Sequence, residues 1–246
     1  MIIHTYEKTQ RGRACEEYIR SYGAALGEVY ILPIPSTRDG VFLKDSKIPI
    51  EDIIEASEPG VTIICYGLAQ SIKERIIERG ARVYDAGVDE DFLGGNAELT
   101  ALAALGILLG SEVRAPMDIS FGIVGYGRIG KRLTRMLLFL GARVRVYTSN
   151  PKTRLELCEC GLEASESEPG TSLGDIDILV NTAPAVIFDT GREEFKTLRV
   201  IDLASGDNFP GLACVESYPS VPAKMFPESA GGLLGECAVK YFDGLK

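Results

Sequence analysis

The sequence predicts an α/β protein: a Rossmann-type dinucleotide-binding domain plus a smaller parallel α/β N-terminal domain. Three observations carry this. Apolar runs of strand length alternate with stretches of helical period along the chain, the rhythm of parallel sheets covered by helices. The glycine motif Gly125-Tyr126-Gly127-Arg128-Ile129-Gly130 follows one such run, ISFGIV, and opens a helical stretch. With 246 residues the chain has room for one large domain or two small ones.

The elements follow in order. Residues 2–6 form a strand, and 12–26 a helix with Ala14, Cys15, Tyr18, Ile19, Tyr22 and Leu26 on its apolar side. The apolar run 29–34 is stopped by Pro33 and Pro35 and followed by the turn-rich PSTRDG. A short helix at 50–56, a strand at 61–66, a helix at 71–79 and a strand at 82–85 complete the first alternation. Polar, glycine-bearing VDEDFLGGN then leads to a helix expected to open near Asn96, a natural N-cap, with Leu99, Leu102, Ala103, Gly106 and Leu109 at helical spacing. This helix reads as the connection between two lobes. Strands recur at 119–124, 143–147, 176–181, 199–203 and 212–215. The expected division is 1–94 for the first domain, completed by a C-terminal helix at 231–246, and 95–230 for the dinucleotide-binding domain with its connecting helix.

Charge and composition exclude several function classes. Lys and Arg number 26 against 35 Asp and Glu, a net charge of −9, so without a local basic patch neither nucleic acid nor an anionic membrane is an expected partner. The most apolar stretch, 99–109, falls far short of the roughly 20 residues a membrane span needs, and no secretory signal pattern opens the chain, so a cytoplasmic protein is expected. The six cysteines include no CxxC pair and read as reduced, mostly buried thiols; Cys158 and Cys160 form a lone CxC that is no metal site. His4 is the only histidine, which rules out a multi-histidine metal centre and a late histidine acid/base, and leaves a Ser-His-Asp triad only if His4 itself serves.

The chemistry centres on the glycine motif. Gly125 permits the tight turn, Gly127 lets a pyrophosphate approach the backbone, and Gly130 lets helix pack on strand, with Tyr126, Arg128 and Ile129 completing the loop. The helix N-terminus that follows favours negative charge. NAD enzymes place an acid at the end of the next strand, for the ribose 2′-hydroxyl. This chain has Thr148, Ser149, Asn150, Lys152 and Arg154 there, groups that suit a 2′-phosphate, so NADP is favoured over NAD. Thr182, Ala183 and Pro184 after the strand DIDILVN, and Asp202 and Ala204 after the next, stand where open α/β sheets bind ligands and are assigned to the nicotinamide half.

The run NAELTALAALGILL, the motif GYGRIG, the strand end NTAP, the element DLASG and the tail PSVPAKMFPESAGGLLGE together resemble the A-subunit family of dipicolinate synthase, two-lobed relatives of the 2-hydroxyacid dehydrogenases. The resemblance runs from about Tyr84 onward, while the first lobe shares the element order and the loops PSTRDG and YGLAQS. It departs from the family in a shorter first lobe and in a less glycine-rich tail. The resemblance implies a substrate lobe followed by a Rossmann lobe, and oxidation of a dihydrodipicolinate-type precursor to pyridine-2,6-dicarboxylate with a nicotinamide cofactor. It also implies a complex with a flavoprotein-like second subunit, and it leaves a homo-oligomer open.

A small dicarboxylate needs a guanidinium fork or backbone amides, and Arg38 with Ser36 and Thr37 supplies both on a loop expected to face the cleft. Tyr218 joins them as a substrate-binding group, and Lys224 and Ser229 in the tail are the catalytic candidates, Lys224 through a proton transfer that desolvation would enable. Two other readings stay open: a nucleotide-binding regulatory or non-catalytic subunit, and an NADP-dependent dehydrogenase acting on another small carboxylate.

Overall fold

A computed structural model describes residues 1–244 of the protein. The chain divides into two compact units: Met1–Leu99 together with the segment from Pro222 onward, and Thr100–Val221. The last two positions of the C-terminal helix expected at 231–246, Leu245 and Lys246, lie outside the described residues.

The first unit is built on four parallel strands in the order β1-β2-β3-β4, with β1 at Ile3–Thr5, β2 at Glu28–Ile31, β3 at Val61–Cys65 and β4 at Arg82–Asp85. Its helices are α1 at Gln10–Tyr22, α2 at Ile50–Glu55, α3 at Gln70–Glu78, the start of α4 at Glu90–Ser111, then α7 at Val221–Met225 and α8 at Pro227–Asp243. Alternate residues of β2 choose the faces. Val29 and Ile31 pack with Cys15 and Ile19 of α1 and with Leu234, Ala238 and Phe242 of α8. Tyr30 and Leu32 pack with Ile50, Ile53 and Ile54 of α2 and with Ile76 of α3. The three crossovers all step in one direction across the sheet, yet α1 lies on the face opposite α2 and α3. The β1-α1-β2 unit therefore has the opposite hand to the two that follow, in a class of connection where about 98% share one hand. Glycines make the close contact of α8 on α1. A Cβ on Gly231 would stand 2.2 Å from the Arg11 carbonyl oxygen, and one on Gly235 2.9 Å from Tyr18 Cβ.

The second unit carries six parallel strands in the order β10-β9-β8-β5-β6-β7. These are β5 Ser120–Val124, β6 Arg143–Tyr147, β7 Glu163–Ser165, β8 Ile178–Asn181, β9 Arg199–Asp202 and β10 Val215–Ser217. Helices α5 at Arg128–Phe139 and α6 at Pro151–Glu159 join the first three. The order runs outward in both directions from β5 and β8, so their boundary is the topological switch point where doubly wound sheets bind ligands. Both β5 and β8 are buried on both faces, which explains why they are apolar except for Ser120 at the start of β5 and Asn181 at the end of β8.

Several elements differ from the sequence expectation. The helix expected to open at Asn96 begins at Glu90, because Asp89 Oδ1 accepts the amides of Asp91 at 2.8 Å and Phe92 at 3.1 Å and so caps it. The glycines that argued for a loop lie inside this helix, where a Cβ on Gly95 would stand 2.8 Å from the Leu233 side chain. With 22 residues, α4 is long and apolar enough by length and composition to cross a membrane, contrary to the expectation drawn from the shorter run 99–109. Its buried Phe92, Ala97, Ala101, Ala104 and Leu108 nevertheless belong to the protein core. The helix expected over 12–26 runs from Gln10 to Tyr22, and Ala24–Leu26 form a separate 3-10 turn beyond Gly23. The last strand lies at Val215–Ser217 rather than at 212–215, and β7 has no apolar run to announce it. Of the six thiols, expected to be mostly buried, Cys15, Cys65 and Cys237 are buried whereas Cys158, Cys160 and Cys214 are exposed. Burial pushes Cys237 up to about 11 and Cys15 and Cys65 higher still, so all three are protonated at neutral pH.

Candidate functional site

The carboxyl end of β5 leads directly into the glycine turn. The Gly125 amide donates to the Tyr147 carbonyl at 2.8 Å, and its φ of +87° is open to glycine at little cost. A Cβ on Gly130 would sit 2.1 Å from the Gly125 carbonyl oxygen, so α5 approaches the turn as closely as backbone allows. Gly127 is different. It is the N-cap of α5 in extended conformation (φ −80°, ψ −160°), and nothing lies within 4 Å of where its Cβ would be. Open space over a turn that ends in a helix N-terminus, whose first-turn amides no intrahelical carbonyl can reach, suits a pyrophosphate.

The two loops beside the turn are locked by buried side chains. Thr182 Oγ1 donates to the Val124 carbonyl at 2.8 Å, so this hydroxyl supports the glycine turn from below. Asn181 Nδ2 donates to Asp202 Oδ1 at 2.8 Å and to the Ala183 carbonyl at 2.9 Å, while its Oδ1 accepts the Ala183 amide at 3.1 Å. Asn208 Nδ2 donates to Asp202 Oδ2 at 3.0 Å, and the Ala204 amide donates to Asp202 Oδ1 at 3.1 Å. Asp202 is 2% exposed with both oxygens engaged, which makes it the tie between the two loops. Asn181 and Asn208 complete that tie and were not among the sequence candidates. An asparagine closing an otherwise apolar buried strand was the available signal for Asn181. Pro184 is exposed, and Ala183 and Ala204 are half-buried, at the rim this network holds.

At the end of β6 the side chains serve the local fold first. Asn150 Oδ1 accepts the amides of Lys152 at 3.0 Å and Thr153 at 3.3 Å and caps α6. Thr148 is buried, and its hydroxyl accepts the Asn150 amide at 3.4 Å. Arg154 donates to the Thr148 carbonyl at 2.8 Å and pairs with Glu166 at 3.3 Å. Ser149 is exposed, and Lys152 is 84% exposed with its ammonium 4.0 Å from Glu156. No acid stands at the strand end itself. Tyr126 is half-buried with Lys131 Nζ 5.6 Å from its ring centroid.

In the first unit, Ser36 is fully buried, and its hydroxyl accepts the Tyr66 amide at 2.8 Å. Thr37 Oγ1 accepts the Gly40 amide at 2.8 Å. Arg38 is exposed and pairs with Asp45 at 3.3 Å. Lys224 in α7 and Ser229 in the first turn of α8 are both exposed. In the second unit, Tyr218 donates to Glu216 Oε2 at 3.0 Å; burial and then this hydrogen bond to Glu216 push the phenol up, so it stays neutral. Glu216 is held below the usual carboxylate range, chiefly by its hydrogen bond from Arg199. His4 lies on the edge strand β1, its Nε2 2.8 Å from Glu28. Among the described residues no three His, Cys, Asp or Glu side chains gather as a metal ion would require.

No protein-family model matches this sequence, and no curated protein matches it. Solved structures do. The dipicolinate synthase A-subunit from Bacillus halodurans superposes with a TM-score of 0.76 and 18% identity, covering 98% of this chain and 96% of that one. Its counterpart from the dipicolinate synthase of Bacillus subtilis gives 0.76 and 16%, covering 99% and 95%. The apo-structure of D-lactate dehydrogenase from Escherichia coli gives 0.60 and 13%, covering 100% and 96%. At such identities the likeness is one of fold. The chain has a Rossmann-type α/β fold of the kind found in the dipicolinate synthase A-subunit and in D-lactate dehydrogenase.

Proposed function

We propose that the protein is a nicotinamide-dependent oxidoreductase that converts a dihydrodipicolinate-type cyclic dicarboxylate to pyridine-2,6-dicarboxylate, with NADP as its preferred cofactor. The observation that carries this reading is the glycine turn at the switch point, open over Gly127 and closed behind it by Gly130. The turn residues Gly125, Tyr126, Gly127, Arg128, Ile129 and Gly130 would hold the pyrophosphate, and Thr148, Ser149, Lys152 and Arg154 the 2′-phosphate. The rim formed by Thr182, Ala183, Pro184 and Ala204, held in place by Asp202 with Asn181 and Asn208, would line the nicotinamide half. When bound, the nicotinamide ring supplies a hydride acceptor. Forming the aromatic ring from its dihydro precursor also releases one proton, for which Lys224 and Ser229 are the candidate acceptors, while Arg38, Ser36, Thr37 and Tyr218 are the candidate substrate contacts. On this reading the protein works in the cytoplasm with a flavoprotein-like second subunit.

One observation favours a second reading, a nucleotide-binding subunit without chemistry of its own. Lys224 and Ser229 stand exposed on the surface, and the sole histidine is engaged by Glu28. Mixing the protein with NADP⁺ and cyclic dihydro-dicarboxylates and following absorbance of the reduced nicotinamide separates the two. Turnover supports the oxidoreductase. Tight NADP(H) binding without turnover, with and without a flavoprotein subunit, supports the second reading, and absence of dinucleotide binding refutes both.

A further inference from the structure

The loop after β2 carries an open recess of about 400 Å³, lined by Arg38, Phe42, Leu43, Lys44, Asp45 and Lys47 among others. Three cations and two acids stand around it, but the acids are not equivalent. Asp39 Oδ1 accepts the amides of Val41 at 2.8 Å and Phe42 at 3.0 Å, and these backbone bonds hold its carboxyl below the usual range. It shapes the loop. Among the described residues, the side chain of Asp45 meets cations: one oxygen lies 3.3 Å from Arg38 Nη2 and the other 4.0 Å from Lys44 Nζ. A single carboxylate thus bridges a guanidinium and an ammonium.

The two cations differ in how they are held. Lys44 is 14% exposed at its side chain and donates to the Ile34 carbonyl at 2.7 Å, so its ammonium is fixed beneath the recess. Arg38 and Asp45 are each 68% exposed and free to separate. Asp45 sits at φ +55° in a turn closed by the Ser46 amide, which donates to the Leu43 carbonyl at 3.1 Å, a conformation that aspartate tolerates and that holds its carboxylate at the recess. An exposed carboxylate bridging one fixed and one movable cation occupies the place a ligand carboxylate would take.

We propose that this recess is a carboxylate-binding site in which Asp45 is an internal counter-ion, displaced when a ligand carboxylate bridges Lys44 and Arg38. The inference deepens the proposed function, from which it takes only that a ligand of this chain carries a carboxylate. Lys44 is the principal anchor, because a cation already desolvated and oriented loses less on binding than an exposed one. Lys47 adds positive charge at the rim. The ligand class is a small organic carboxylate, and the apolar Phe42 and Leu43 suit its carbon skeleton.

Calorimetric titration of the full chain with glutarate at low ionic strength, without dinucleotide, tests the assignment, with NADPH titrated in parallel. Asp45→Asn should bind glutarate about two- to five-fold more tightly than the unaltered chain, the worth of the exposed ion pair removed. Lys44→Met should weaken it by ten-fold or more, Arg38→Ala by a few-fold, and Lys44→Arg should restore most of the loss, which separates the charge from any effect of Lys44 on folding. NADPH affinity should be the same in all four. Unaltered or weaker binding by Asp45→Asn, no glutarate binding by any variant, or binding of inorganic phosphate in preference to glutarate overturns the proposal. Those results leave the dinucleotide reading untouched, whereas loss of NADPH binding by the unaltered chain overturns that reading and not this one.

Discussion

Gly127→Val separates the two jobs that the glycine turn performs. In the fold, Gly127 has an extended backbone that valine adopts freely, and no atom lies within 4 Å of the position its Cβ would take. The cost to stability is then that of a poorer N-cap, about 1 kcal/mol or less, which for a chain of this size lowers Tm by about 2–4 °C. Binding is another matter, because the isopropyl group fills the space through which a pyrophosphate reaches the first-turn amides. Two charge-assisted hydrogen bonds to backbone amides, at about 1.5–3 kcal/mol each, would be lost, a weakening of at least about 100-fold. Gly130→Ala provides the contrast. Its methyl group would stand 2.1 Å from the Gly125 carbonyl oxygen, so helix and turn must part, at a cost of about 1–3 kcal/mol. The chain has no tryptophan, so the fluorescence of bound NADPH reports binding against little background, and urea unfolding followed by circular dichroism reports stability. If Gly127→Val binds NADPH within about three-fold of the unaltered chain, the pyrophosphate does not lie over this turn. If it unfolds, the space over Gly127 is not free.

Two further outcomes rest on other contacts. NADP(H) should bind more tightly than NAD(H), since β6 ends without an acid and Lys152 and Arg154 stand nearby; Arg154→Ala should narrow the difference, and equal or tighter NAD(H) binding by calorimetry removes the preference. Glu7 gives an acid limb to stability: burial pushes its carboxyl up, but Arg11 and the hydrogen bonds from Thr9 and the Ile34 amide outweigh this and hold it below the ordinary glutamate value of 4.5. A depressed carboxyl contributes stability that is present above the unfolded value and lost as pH falls through the folded one, so urea midpoints should decline below about pH 4.5. Glu7→Gln should flatten that decline and cost about 3–5 kcal/mol at pH 7, because it strands the buried Arg11 without its partner. A variant with the original acid limb would show that Glu7 is not its source.

The features legible in the sequence alone are local ones. The run at 61–66 is a strand buried on both faces, and 143–147 alternates valine with arginine as a strand with one better-buried face does, so both patterns are written in near neighbours. The glycine motif was legible for the same reason, since the turn, the close helix and the open N-cap are set by residues within six positions of one another. The start of α4 misled because two glycines read as a break, whereas Gly95 is required by Leu233, a residue more than 130 positions away. Long-range packing settled the strand orders, the opposite hand of the first crossover and the seat of α8 on α1. It also settled the work of each polar side chain. Asp202 ties together the two loops beside the glycine turn, Asn150 caps α6, and Asp45, which carries no motif, bridges Arg38 and Lys44. Period and propensity depend on near neighbours, so a sequence displays them; which donor meets which acceptor depends on strands brought side by side from distant parts of the chain, and that pairing exists only once the sheets have formed.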